Sequence, residues 1–272
     1  MPKTALLRVM KTVAEGADNL RRDRGGVVVL LYHRVGAGTG VQVDLPVELF
    51  ARQMEVLAQS GRVRTLEKAL DALAGAEAPP GGDPVVVTFD DGTADFAEVA
   101  VPIMVAHAIP STLYLATDFV ERGVSFPDDG TPLSWPALAD AVATGLVDVG
   151  SHTHTHALLD RAEPEAVQAE LDRSVGLIED RLGLPAQHFA YPKAVLGSSS
   201  AEAAVRRRFR SAALAGTRSN PYGGTDPHRL HRSAIQVADG MRWFTRKLEG
   251  GMALEDAVRR VVNRRRYAGA VN

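Results

Sequence analysis

The run Val85-Val86-Val87-Thr88-Phe89 is apolar on both sides of an extended chain, so a strand made from it must be covered on both faces. No other feature constrains the fold as much, because strands of this kind belong to parallel sheets whose crossovers are helices. The pattern recurs. β-rich apolar runs lie at Val27–Tyr32, Val85–Phe89, Ser111–Thr117, Leu146–Gly150, His188–Tyr191, Phe209–Ala215 and Leu230–Val237. Between them the spacing predicts helices over Val47–Gln59, Thr65–Ala74, Asp95–Ala108, Trp135–Thr144, Pro164–Leu182 and Ser200–Arg208. Strands alternating with helices predict a barrel or a doubly wound sheet, and in both the chemistry sits in loops at the carboxyl ends of the strands.

A chain of 272 residues with 45% hydrophobic and 24% charged residues suits one large soluble core. Its 31 Lys plus Arg against 33 Asp plus Glu leave a net charge of −2, which provides no global field for nucleic acid. With no cysteine, only His, Asp and Glu remain as metal ligands. No apolar run approaches the roughly 20 residues of a membrane-spanning helix. Met1–Arg24, interrupted by Arg8, Glu15 and Asp18, reads as an amphipathic leading segment and not as a secretion signal, which favours a cytoplasmic location. The tail Met241–Tyr267 carries eight basic and three acidic residues around Trp243, Phe244 and Leu248. It predicts a terminal helix packed on the core with a solvated basic face, and peripheral membrane contact is the alternative.

Two strand ends carry candidate chemistry. Val85–Phe89 stops at Asp90-Asp91-Gly92, where adjacent carboxylates repel one another unless a cation lies beside them. Leu146–Val149 runs into Gly150-Ser151-His152-Thr153-His154-Thr155-His156, which holds three of the eight histidines. Imidazoles four residues apart can converge on one metal. One carboxylate from the first turn and two imidazoles from the second would leave coordination positions open, the pattern of a catalytic and not a structural site.

These residues resemble the polysaccharide deacetylases with a NodB homology domain, carbohydrate esterase family 4. Thr88-Phe89-Asp90-Asp91-Gly92 is similar to that family's first motif and Ser151-His152-Thr153-His154-Thr155-His156 to its second, with about sixty residues between. The resemblance covers Val27 to Val237 and implies a distorted (β/α)7 barrel. It divides the chain into a leading segment 1–25, a deacetylase domain 26–238 and a basic helical extension 239–272. It further implies that Asp90 is the general base, that Asp91, His152 and His156 hold a divalent metal, and that His154 is not a ligand. Zinc is the default ion, and Co²⁺, Ni²⁺ or Fe²⁺ fit the same ligands. Asp148 and Asp118 are candidates for orienting the imidazoles.

Two family motifs are altered. The third, ordinarily Arg-x-Pro-Tyr, is matched in Ala190-Tyr191-Pro192-Lys193-Ala194 only at Pro192, which leaves Asp90 without the arginine that orients it. Tyr191, Pro192 and Lys193 are expected to contact substrate, with an amide near Lys193 as an oxyanion donor. The late Leu-x-His motif fails at Leu230-His231-Arg232, whereas Leu30-Leu31-Tyr32-His33-Arg34-Val35 resembles its placement in a circularly permuted subgroup. His33 is therefore the expected general acid and His231 the alternative.

The implied function is metal-dependent removal of acetyl groups from N-acetylated sugars or polysaccharides, with an N-acetylated glycan or sugar conjugate as partner. The alternatives are O-acetyl ester or small-amide hydrolysis on the same fold, and a glycan-binding homologue weak in catalysis.

Overall fold

The computed structural model describes residues 11, 12, 16, 25–75 and 78–254. Most of the leading segment and the extension beyond residue 254 lie outside the described residues.

Each of the seven predicted runs contributes a strand to one parallel sheet: β1 (Val28–Tyr32), β4 (Val85–Asp91), β5 (Ser111–Leu115), β6 (Val147–Ser151), β7 (His188–Ala190), β8 (Ser211–Ala213) and β9 (Ser233–Ala234). A separate two-stranded ladder, β2 (Arg34–Val35) with β3 (Asp44–Leu45), flanks the loop after β1. The order β8-β7-β6-β5-β4-β1-β9 places the charged end of β4 inside the sheet, between β5 and β1.

The sheet curls until its edges meet in a distorted (β/α)7 barrel. The segment 230–235 forms the seam. On one side Leu230 donates its N–H to Ala212 O at 2.9 Å, and Arg232 O accepts from Gly216 at 2.8 Å. On the other side Ser233 and Ala234 pair with Leu30 and Leu31, and Ile235 donates to Leu31 O at 2.9 Å. The predicted run Leu230–Val237 therefore shortens to a two-residue strand, because its hydrogen bonds pass from β8 to β1 within a few residues.

Two apolar layers make the core. The outer one packs Val28, Leu30, Tyr32, Val85, Val87, Phe89, Leu113 and Val149 against the surrounding helices. An inner cluster of Val27, Val29, Val86, Tyr114, Ala190, Ala213 and Leu230 is joined by Leu66, Ala69 and Leu70 of the helix Leu66–Gly75. Alternating residues of each strand thus face opposite layers, as the two-sided apolar runs require. Helix ends follow local chemistry: Pro164 sits at the first turn of Pro164–Leu182, and Gly61 and Gly183 close their helices in the left-handed conformation, with φ of 62° and 67°.

Two expectations change. Ser111–Thr117 is strand only to Leu115, since Thr117 opens the short helix Thr117–Arg122. The helix predicted from Met241 runs over Gly240–Leu248 and buries Trp243, Phe244 and Leu248.

Candidate metal centre and active site

Register brings the candidate residues to one level. Tyr32 pairs with Phe89, so His33 and Asp90 follow side by side, and Asp91 pairs with Leu115, which pairs with Ser151. His152 then leaves β6 with its N–H on Leu115 O at 2.9 Å. All these strand ends point to the carboxyl mouth of the barrel.

A cavity of about 320 Å³ opens there, lined among others by His33, Asp90, Asp91, His152, His156 and Lys193. Its walls carry backbone strain. Of nine non-glycine residues with positive φ among those described, five line the cavity: Asp91 (78°), Asp128 (58°), His156 (63°), Lys193 (52°) and Ala194 (57°). The turn after Asp91 requires glycine, because Gly92 has φ 104° and a Cβ there would stand 2.4 Å from Leu115 Cδ1.

Asp91, His152 and His156 each offer a ligand atom, and these atoms lie within 4.8 Å of one another. His152 Nε2 and His156 Nε2 stand 3.8 and 3.5 Å from Asp91 Oδ1. Those separations are too long for hydrogen bonds. They are close to the roughly 3.4 Å between neighbouring ligands that bonds of about 2.1 Å around a tetrahedral ion would give. His152 Nδ1 lies 2.7 Å from Ala190 O, and a carbonyl only accepts, so Nδ1 carries the proton and the Nε2 lone pair faces the cluster. Burial, then the neighbouring His152, lowers the pKa of His156 to about 3, which keeps that imidazole neutral and able to donate its lone pair. The donor set therefore fits a divalent cation of the zinc type.

Asp118 and Asp148 do not orient these imidazoles. Asp118 faces Arg122 and, at 3.5 Å, His154 Nε2, while Asp148 lies near His188 at the other end of the barrel. Ala190 O fills the orienting role for His152.

The sequence reading left Asp90 without an arginine, and the structure supplies one from the seam. Arg232, fully buried, donates from Nη1 to Asp90 Oδ1 at 2.6 Å and from Nη2 to Oδ2 at 2.8 Å. Burial by itself would raise the Asp90 pKa, but the Arg232 charge and then His152 outweigh it and bring the value to about 2. The guanidinium lies 5.1 Å from the centre of the Tyr114 ring. In the Leu230-His231-Arg232 segment, alternation along the seam turns Leu230, Arg232 and Ala234 inward. His231 turns the other way, its Nε2 2.5 Å from Arg218 Nη2, and it is not among the residues lining the cavity.

His33 lines the cavity half-buried, and burial lowers its pKa against the opposing pull of Asp91 and Asp90. Of the residues expected to contact substrate, Lys193 reaches the cavity. Tyr191 and Pro192 are buried and do not line it. Tyr191 donates its N–H to Ala213 O at 3.0 Å, and its ring packs edge-on against Phe189 at 4.9 Å in an outer apolar cluster. Strand alternation sends it outward.

Comparison with known proteins agrees with this fold. The family profile described as polysaccharide deacetylase matches residues 77–211. YxkH of Bacillus subtilis (strain 168), named for the polysaccharide deacetylases, is 22% identical over 215 residues, 78% of this chain and 72% of that protein. The structure of IcaB from Ammonifex degensii aligns with a TM-score of 0.70 and 28% identity over 81% of this chain and 97% of its own. The Streptococcus pyogenes deacetylase PplD, solved with acetate, shares the fold with a TM-score of 0.70 and 22% identity, over 82% of this chain and 97% of its own. The chain belongs to the polysaccharide deacetylase family.

Proposed function

We propose that this protein hydrolyses the N-acetyl group of an acetylated amino sugar in a glycan or sugar conjugate, releasing acetate and a free amine. The observation that carries the reading is the convergence of Asp91, His152 and His156 beside an arginine-paired Asp90 in one cavity at the barrel mouth. Asp91, His152 and His156 would hold a divalent ion, zinc by default, which when bound polarises an acetyl carbonyl and acidifies water.

Arg232 fixes both oxygens of Asp90, so the carboxylate is ionised and aimed before substrate arrives. Asp90 Oδ2 lies 3.7 Å from His152 Nε2, next to the ligand atoms, where it can take a proton from an attacking water. A carboxylate with a pKa of about 2 is a weak base, so the step depends on water being acidified in the site. His33, the remaining histidine that lines the cavity, would protonate the departing nitrogen, and it must be charged in the complex to do so because burial lowers its pKa. Amines leave poorly, and this requirement is what favours amide over ester cleavage as the natural reaction. Lys193, at the rim, provides a cation toward the oxyanion or a sugar hydroxyl.

The test is acetate release from N-acetylglucosamine oligomers and from an activated aryl acetate, by wild type and His33→Ala protein loaded with zinc. His33→Ala should lose about 10²- to 10⁴-fold on the sugar and little on the aryl ester, whose phenolate leaves unaided. Equal losses on both substrates remove His33 from the chemistry. Release from O-acetylated sugars alone assigns the enzyme to ester cleavage.

A further inference from the structure

The loop that carries His152 and His156 is gripped by one face of a helix. Glu170, in the helix Pro164–Leu182, accepts three hydrogen bonds from it: from His154 N–H at 2.9 Å, from Thr155 N–H at 2.8 Å and from Thr155 Oγ1 at 2.7 Å. One turn further on, Ser174 Oγ lies 2.8 Å from Ser151 Oγ, both fully buried, and Ser151 Oγ also accepts from Thr153 N–H at 3.2 Å. Residues 170 and 174 are four apart and therefore share a helix face.

The far side of the loop is tied as well. His154 O accepts from Asp118 N–H at 2.9 Å, and His154 Nδ1 lies 2.9 Å from Thr117 Oγ1. A loop so tied needs its ties, since it holds two non-glycine residues at positive φ, Thr153 at 64° and His156 at 63°. Left to itself the backbone would relax from that shape, and the two imidazoles four residues apart would cease to converge.

We propose that Glu170, backed by Ser174, is a positioning residue that sets metal affinity by holding the His152–His156 loop in its ligating shape. This rests on the metal reading of Asp91, His152 and His156. Glu170 takes no part in the ligand cluster itself; it acts through the amides of His154 and Thr155, two of the three residues between the histidines.

The experiment titrates Co²⁺ into metal-free protein and reads both the dissociation constant and the visible ligand-field spectrum. Glu170→Ala should weaken Co²⁺ binding by about 10- to 100-fold and change the band positions or intensities. Glu170→Asp, one methylene shorter, should weaken it similarly, and it carries the test if the alanine variant does not fold. Glu170→Gln keeps the length and an acceptor oxygen and should recover most of the loss. Glu165→Ala, an exposed change on the same helix, should bind as wild type does. Wild-type affinity and spectrum in Glu170→Ala and Glu170→Asp overturn the proposal, as does an equal loss in Glu165→Ala. A wild-type protein that binds no Co²⁺ overturns the metal reading and this proposal together, and is distinguishable because no variant is needed to see it.

Discussion

The barrel has a buried histidine beside two carboxylates at each end, and only one end looks built for chemistry. At the mouth, His152 faces Asp90 and Asp91 at 3.7 and 3.8 Å, with no partner on its Nε2 at hydrogen-bond distance among the described residues, in an open cavity. At the floor, His188 is enclosed by its neighbours: its Nε2 lies 2.8 Å from Glu67 Oε1, its Nδ1 lies 2.9 Å from Ser211 Oγ, and Arg210 pairs with the same Glu67. The strand residues around the floor, 188–190 and 211–213, have ordinary backbone, whereas the mouth holds five strained positions. Both ends combine imidazole, carboxylate and guanidinium. What separates them is that donor atoms at the mouth are held near one another without being joined.

The sharpest break of this comparison is to empty the mouth. A His152→Ala, His156→Ala variant should lose bound metal and reduce acetate release by about 10³-fold or more, since several kcal/mol of polarisation disappear. Elemental analysis beside the acetate assay checks it, and undiminished metal content would place the ion elsewhere.

A smaller effect is expected at the arginine that distinguishes the mouth electrostatically. Arg232→Gln leaves a buried carboxylate uncompensated, which should cost about 3–5 kcal/mol of stability in denaturant titration. Removing the guanidinium also lets burial raise the Asp90 pKa from about 2, so the acid limb of the rate profile should move to higher pH. An unmoved limb would mean that Asp90 is not the group titrating there.

At the floor, His188→Gln should leave acetate release and metal content unchanged while costing about 1–3 kcal/mol through the orphaned partners. Burial holds the His188 pKa below 6.5, so the folded chain binds fewer protons than the unfolded one just below that pH. Wild type should therefore lose stability as the pH falls through that window, and the variant should lose less. A fall in turnover at saturating metal would show that the two ends are coupled.

Much of this was legible before any coordinates. Two-sided apolar runs gave the seven strands, and the residues that terminate β4 and β6 gave Asp90, Asp91, His152 and His156, because strand ends and short loops are local in sequence. Arg232 was not legible as the partner of Asp90. The contact spans 142 residues, and it depends on the seam's register, which a two-residue strand barely writes into the sequence. Alternation of Leu230, Arg232 and Ala234 was the available signal, and His231 between them drew the motif's expected histidine to the wrong face. Tyr191 was hidden for a related reason: it continues the outward side that Phe189 takes in β7, and only the left-handed turn at Lys193, φ 52°, brings the chain back to the cavity.

The seam also bears on how the molecule reaches its native state. β1 and β9 are about two hundred residues apart, so the barrel is sealed by one of its most distant pairings, whose loop-closure entropy must be met before its contacts form. Until that happens, the guanidinium is absent and Asp90 is a carboxylate entering an apolar interior alone. Sealing and charge compensation are a single event. A chain that closes in the wrong register forfeits the ion pair, so it is both less stable and without an aimed base.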